Sequence, residues 1–220
     1  MAKVTKEDDA GHVHDWDGVG RPWEPREQLT CLSCGAHFKD MEHYIIAQTK
    51  NMHVASVIDC GCGLKGIVGQ AWWNYRNIDR GWGCDIWVVG PTQRKWQPLK
   101  MDALDLWMLF EPKSVDVVQA FGFLEHLTKE DGLAFLEMAE TIASKLVIVS
   151  AATEVHGVDE LGNPDPLYKV KRDGNPYHAY KSEWLWAEFE YMGYQSNWDD
   201  HLAGTSFENE AVAWKRLDEV

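Results

Sequence analysis

From residue 54 onward, apolar and polar positions switch between two periods. Val54 to Asp59 is a β-branched apolar run that stops at glycines, the pattern of a buried parallel strand. Leu64 to Arg76 then sets Ile67, Val68, Ala71, Trp72 and Tyr75 at helical spacing. A second strand is expected over Gly81 to Val88, ending near Asp85. A short third, Leu99-Lys100-Met101, runs into Asp102, and a fourth covers Val115 to Phe121. Lys129 to Ala143 predicts an amphipathic helix and Lys145 to Ser150 a fifth strand. A loop rich in Gly, Pro and Asp follows, from Glu154 to about Tyr180. Lys181 to Met192 then predicts a helix stopped by Gly193, and Tyr194 to Trp198 and Ala211 to Leu217 predict two closing strands. Strands alternating with helices in this way predict an α/β fold with a doubly wound, mostly parallel sheet.

Residues 1 to 40 break this pattern. They are polar, rich in His, Asp, Gly and Pro, and show neither period; Met41, Tyr44, Ile45 and Gln48 then suggest a short helix leading onward. The expected organisation is a Cys/His segment over residues 1–40 and one domain over residues 41–220. A chain of 220 residues has room for both. With 45% hydrophobic and 25% charged residues it has the composition of a soluble globular protein. Its 12 tryptophans suit either stacking on a ligand or filling a core.

Charge narrows the partners. With 35 acidic against 21 basic residues the formal net charge is −14, which repels a polyanion, and the densest basic stretch is only Lys169-Val170-Lys171-Arg172. Nucleic acid is therefore an unexpected partner. No apolar run approaches the ~20 residues of a membrane span, and Met1 to Asp9 lacks the apolar centre of a signal peptide. Five cysteines, an odd number with two close pairs, suggest reduced thiols. A soluble, cytoplasmic protein is the expectation.

The chemistry centres on Ile58-Asp59-Cys60-Gly61-Cys62-Gly63-Leu64-Lys65-Gly66. Glycines after a first strand let the backbone turn sharply and approach a ligand, and a following helix N-terminus offers unpaired N–H groups. The G-x-G-x-x-G spacing alone suits NAD equally well. Asp59 points elsewhere: a carboxylate there repels a pyrophosphate but suits a ligand with ammonium and sulfonium charges. Asp85, ending the second strand, is placed to accept two ribose hydroxyls.

In motif order as well as content, Val54 to Glu154 resembles the class I S-adenosylmethionine-dependent methyltransferases. Val57 to Gly63 resembles their first motif, Gly83-Cys84-Asp85-Ile86 their ribose-binding acid, and Met101-Asp102-Ala103 the end of their third strand. Val115 to Leu127, with its Glu125-His126 pair, resembles their fourth-strand motif. Asn175-Pro176-Tyr177-His178, then Ser182-Glu183-Trp184 and Gly193-Tyr194, resemble a substrate-side loop and late helix. The resemblance implies seven strands with the last antiparallel, and S-adenosylmethionine as cofactor. It also implies cofactor contacts from Asp59, Gly61, Gly63, Asp85, Ile86, Asp102, Ala103, Gln119 and Ala120. Asp102 would meet the adenine amino group and the Ala103 N–H a ring nitrogen. Cys60 and Cys62 occupy variable positions of the glycine loop, where small residues pack; a metal site is the alternative.

Methyl transfer from a sulfonium is an in-line displacement, so the protein has mainly to align the reactants and exclude water. A general base helps a hydroxyl or protonated amine, and His126 is the leading candidate, a structural histidine being the alternative. Tyr177 and His178 are candidates for substrate contact. Trp184 and Trp186 suit the same pocket or, more simply, the core. Ala120-Phe121-Gly122-Phe123 lacks both the Asn/Asp-Pro-Pro-aromatic motif of amino-methylating DNA enzymes and the Pro-Cys of cytosine-C5 enzymes. This favours an O or N atom of a small molecule, sugar or protein as acceptor.

At the N-terminus His12, His14, Cys31, Cys34 and His37 fall within one polar segment. Zinc takes four such ligands, and His12, His14, Cys31 and Cys34 are the leading set for a structural ion, with His37 as substitute. Two rivals accompany the methyltransferase expectation. One is an NAD(P)-dependent oxidoreductase or epimerase on the same glycine loop, against which Asp59 and Met101-Asp102-Ala103 stand. The other is a non-catalytic, methyltransferase-like binding module.

Overall fold

The computed structural model describes residues 4–7, 13–16, 49, 52–63, 78–87, 96–153, 161, 163–167, 170–171, 174–197 and 210–217. Near the N-terminus β1 (Val4–Glu7) pairs antiparallel with β2 (Val13–Trp16) in a sheet of its own. This hairpin was not expected. Strands of four residues are too short to display a two-residue period, so only their pairing identifies them.

A second sheet carries the rest: β3 (Ser56–Cys60), β4 (Arg80–Asp85), β5 (Trp96–Lys100), β6 (Val115–Ala120), β7 (Ala143–Ala152), β8 (Gln195–Asn197) and β9 (Glu210–Arg216). Their order is β5-β4-β3-β6-β7-β9-β8. The first five pair in parallel, while β9 runs antiparallel to both neighbours. The α/β, seven-stranded, mostly parallel sheet with its last strand reversed is as the sequence predicts.

The central strands are apolar because both faces are covered: Val57 and Ile58 of β3, Val117 and Val118 of β6 and Leu146 to Val149 of β7 are all buried. On one face lies α1 (Lys129–Ile142), which buries Phe135, Leu136, Ala139 and Ile142. Thr128 caps it, its hydroxyl accepting from the Asp131 N–H, and Glu130 and Asp131 suit the positive end of the helix. No loop separates α1 from β7.

Two packing details fix positions near the site. The Trp96 indole lies over β4, where a Cβ on Gly81 would stand 2.1 Å from its ring and one on Gly83 2.7 Å from its Nε1. Trp184, fully buried and stacked on Phe189, sits where a Cβ on Gly132 would be, at 2.4 Å.

The late helix is shorter than expected. Only α2 (Trp186–Tyr191) is helical, and residues 181–185 run extended. Their N–H groups bond outward: Lys181 and Ser182 donate to the Glu125 carbonyl at 2.8 and 3.3 Å, and Trp184 donates to that of Ala152 at 3.2 Å. Three 3₁₀ turns were also unforeseen: Ala103–Met108, Leu124–His126 and Pro176–His178. The expected helices over residues 40–50 and 64–76 fall almost wholly outside the described residues.

Candidate functional site

The carboxyl edge of the parallel strands carries most of the chemistry. There β3 stands between β4 and β6, the point from which the strand order runs both ways and at which open α/β sheets form a crevice. Gly61 follows β3 directly. Its N–H and that of Cys62 donate to the Cys84 carbonyl at 2.8 and 3.2 Å, folding the loop back over β4. The turn requires φ values of +71° at Gly61 and +58° at Gly63, and a Cβ on Gly61 would meet the Phe123 ring at 2.8 Å.

Two carboxylates flank this loop. Asp85 accepts the Gly63 N–H at 3.0 Å on one oxygen and the Trp87 N–H at 2.8 Å on the other, so the glycine loop itself orients it. Asp102 follows β5, and its Oδ1 accepts the Leu104 N–H at 3.0 Å, starting the 3₁₀ turn that buries Ala103.

Asp59 is different. Only 2% exposed, it lies beside Gln119 on the neighbouring strand, and its Oδ2 has no hydrogen-bond partner among the described residues. Burial pushes its carboxyl up to about 7, against the Gln119 hydrogen bond and with the charge of Asp85 adding to the rise.

One cleft joins these elements. Gly61, Asp85, Ile86, Asp102 and Ala103 line it together with Phe123, His126, Tyr177, His178 and Lys181. The structure therefore brings together most of the sequence-predicted residues. Asp59, Gln119 and Ala120 lie buried in the sheet and, like Gly63, do not line this cleft. Trp184 belongs to the core, and Trp186, though exposed, is also away from the cleft.

Part of this lining owes its form to the segment 181–185. By hydrogen-bonding to the Leu124–His126 turn it holds His126, His178 and Tyr180 as neighbours, with ring centroids 5.3 and 5.4 Å from His126. The Ser182 hydroxyl lies 2.9 Å from the Leu127 carbonyl and accepts the Trp184 indole N–H at 2.9 Å, tightening the join. His126 Nδ1 is 3.2 Å from the Ala179 carbonyl. A carbonyl only accepts, so Nδ1 carries a proton, and when the ring is neutral the lone pair is on Nε2. That nitrogen is 3.9 Å from Oε1 of the fully buried Glu125. Across the mouth, Trp87 and Tyr177 approach with centroids 6.1 Å apart.

The chain matches no protein-family model and no curated protein in sequence. Its fold does have likenesses. It is similar to the small RNA methyltransferase HEN1, with a TM-score of 0.52 and 14% identity over 81% of this chain and 25% of that one. It is also similar to a chain of the complex between the Haloferax volcanii Trm112 methyltransferase activator and a methyltransferase, with a TM-score of 0.50 and 15% identity over 74% and 82%. The magnesium protoporphyrin IX methyltransferase of Synechocystis PCC 6803, with S-adenosylhomocysteine bound, gives a TM-score of 0.48 at 17% identity over 80% and 78%. The fold is that of class I methyltransferases.

Some features escape a linear reading. Tyr177 and Lys181 stand four residues apart, a Tyr-x-x-x-Lys spacing that the sequence argument against an oxidoreductase wrongly counts as absent and that favours an oxidoreductase if both lie on one helix. They do not, since Tyr177 is in a 3₁₀ turn and Lys181 in the extended segment. Lys181 itself was missed: an isolated exposed lysine gives no signal until the fold brings it to the cleft.

The metal expectations lack a described site. Burial pushes the thiols of Cys60, Cys62 and Cys84 up, which favours the neutral thiol. Among the described residues, no group of three or more His, Cys, Asp or Glu is placed to hold a metal ion. His12, Cys31, Cys34 and His37 lie outside the described residues, as do all side-chain atoms of His14, whose backbone belongs to β2. Nor, among those described, is any helix long and apolar enough to cross a membrane.

Proposed function

We propose that this chain is a methyltransferase that takes its methyl group from S-adenosylmethionine and passes it to an O or N atom of a small molecule, sugar or protein, residues 41–220 forming the catalytic domain. The observation that carries this reading is the cleft that Gly61 shares with Asp85 and Asp102, carboxylates at the ends of successive strands. A pyrophosphate beside two carboxylates would be repelled, whereas an adenosine offers hydroxyl and amino donors to both.

The residues fit this cofactor. Asp85 suits the ribose diol and Asp102 the adenine amino group, with the Ala103 backbone and Ile86 alongside. The left-handed glycine loop keeps side chains away, and Asp59 offers a buried carboxylate oxygen with no described hydrogen-bond partner beneath that loop. Gln119 and Ala120 support it from β6. S-adenosylmethionine, when bound, supplies a methyl group on a sulfonium that leaves as a neutral thioether. His126 receives the acceptor's proton at Nε2, and Glu125 lies close enough to stabilise the imidazolium that results. Tyr177 and His178 contact the acceptor and exclude water.

The oxidoreductase reading fares worse, because the dinucleotide-binding sheet has the strand order 3-2-1-4-5-6, and here the reversed β9 is inserted between β7 and β8. Calorimetric titration with S-adenosylhomocysteine and, separately, NAD⁺ tests the reading. Saturable binding of the first only is expected, with Asp85→Asn weakening it by about tenfold or more, as loss of charge-assisted hydrogen bonds implies. Preference for NAD⁺, or an affinity indifferent to Asp85→Asn, overturns it.

A further inference from the structure

The lining of the cleft carries charge of both signs: the carboxylates of Asp85, Asp102 and Asp131 of α1, with His126, His178 and Lys181. Lys181 is the lysine on this lining. Lys129 pairs with Glu188 at 2.7 Å, Lys145 with Asp116 at 2.9 Å, Lys171 with Asp165 at 2.7 Å and Lys215 with Glu140 at 2.8 Å. Lys181 forms no ion pair among the described residues, although its backbone is tied at 2.8 Å to the carbonyl of Glu125, beside His126. A lysine exposed on the lining of a cleft, with no ion pair among the described residues, invites an anion from the ligand.

We infer that the methyl acceptor is a small hydroxylated acid, its hydroxyl at His126 and its anionic group at Lys181; this rests on the methyltransferase reading. Phe123, Leu127 and Tyr177 supply apolar surface to the same cleft, so the body of the acceptor is apolar or aromatic. In the transfer, the hydroxyl oxygen bonds to the methyl carbon as the carbon–sulfur bond breaks. The hydroxyl proton passes to His126 Nε2, and the thioether leaves neutral. The anchoring charge takes no part in bond making; it sets which hydroxyl reaches the base, and it selects against neutral and cationic analogues.

The test uses the full chain loaded with S-adenosylhomocysteine. Binding of that ligand is measured first, and if it fails the methyltransferase reading fails with it. Given binding, the loaded protein is titrated with hydroxybenzoic and hydroxycinnamic acids and with their neutral carboxamides. The acids should bind about tenfold or more tightly than the amides. Lys181→Met should abolish that preference by weakening only the acids, and Lys181→Arg should restore it; thermal melting of each variant checks folding. Should no acid bind, should acids and amides bind alike, or should Lys181→Met weaken both equally, the acceptor assignment is wrong although the cofactor reading stands.

Discussion

Asp59 shows how far one residue can be understood from its place. The sequence puts a carboxylate two positions before Gly61, but only the structure reveals that it is enclosed, with its charge opposed by burial. Its carboxyl rises from the ordinary 3.8 to about 7. Between those pH values the folded chain keeps a proton that the unfolded chain has released. This residue's contribution to stability is therefore complete below pH 3.8 and is lost as pH rises through about 7. Asp59→Asn should consequently raise the melting temperature more at pH 8 than at pH 5, by roughly 2–4 °C per kcal/mol relieved. A cationic ligand reverses the balance by favouring the ionised carboxyl. S-adenosylmethionine should then bind with release of a proton and lose affinity as pH falls below about 7, a trend that Asp59→Asn removes. Calorimetry in buffers of different ionisation enthalpy measures the release. Asp85 and Asp102 were legible in the sequence because their strand ends were; the enclosure of Asp59 was not, because burial depends on neighbours from β4 and β6.

At the scale of elements, periodicity located most strands of the seven-stranded sheet and α1, with β5 expected to start at Leu99 rather than Trp96 and with β1 and β2 missed, since two-residue and 3.6-residue patterns survive wherever one element packs against a continuous core. It failed where backbone hydrogen bonds leave the element. Residues 181–185 have a composition fit for a helix, yet their N–H groups bond to Glu125 and Ala152, and that choice is invisible in a linear reading. The extended segment is what joins the acceptor side of the cleft to the Leu124–His126 turn. Ser182 is its rivet, because its hydroxyl serves both the Leu127 carbonyl and the buried Trp184 indole. Ser182→Ala should cost about 1–3 kcal/mol in denaturant unfolding, the penalty of leaving a buried donor unpaired. Its larger effect should be on the acceptor: KM for the acceptor rises, while the dissociation constant for S-adenosylhomocysteine stays within about twofold, as the acids at the strand ends are untouched.

Over the whole molecule, topology was the most legible property. A chain that alternates strand and helix has few ways to close a sheet, and the terminal pair of strands, preceded by Gly193, could return only along one edge. The Leu124–His126 and Pro176–His178 turns, by contrast, are too short for any period to announce. Charge is the other global property. A formal charge of −14 should keep nucleic acid away. Filter binding with short duplex RNA at about 0.15 M salt should give no saturable retention; retention at that ionic strength would require a basic surface that the composition does not suggest.

The indole of Trp96 occupies room that side chains at positions 81 and 83 would otherwise claim. These three sites are thus bound to change in concert over time. A bulkier residue on β4 is admissible only after the tryptophan has given way, and a smaller residue at 96 leaves a hollow beneath the strand that presents Asp85. Drift at this edge of the sheet should therefore come as paired steps, with the ligand-facing acid carried along as their passenger.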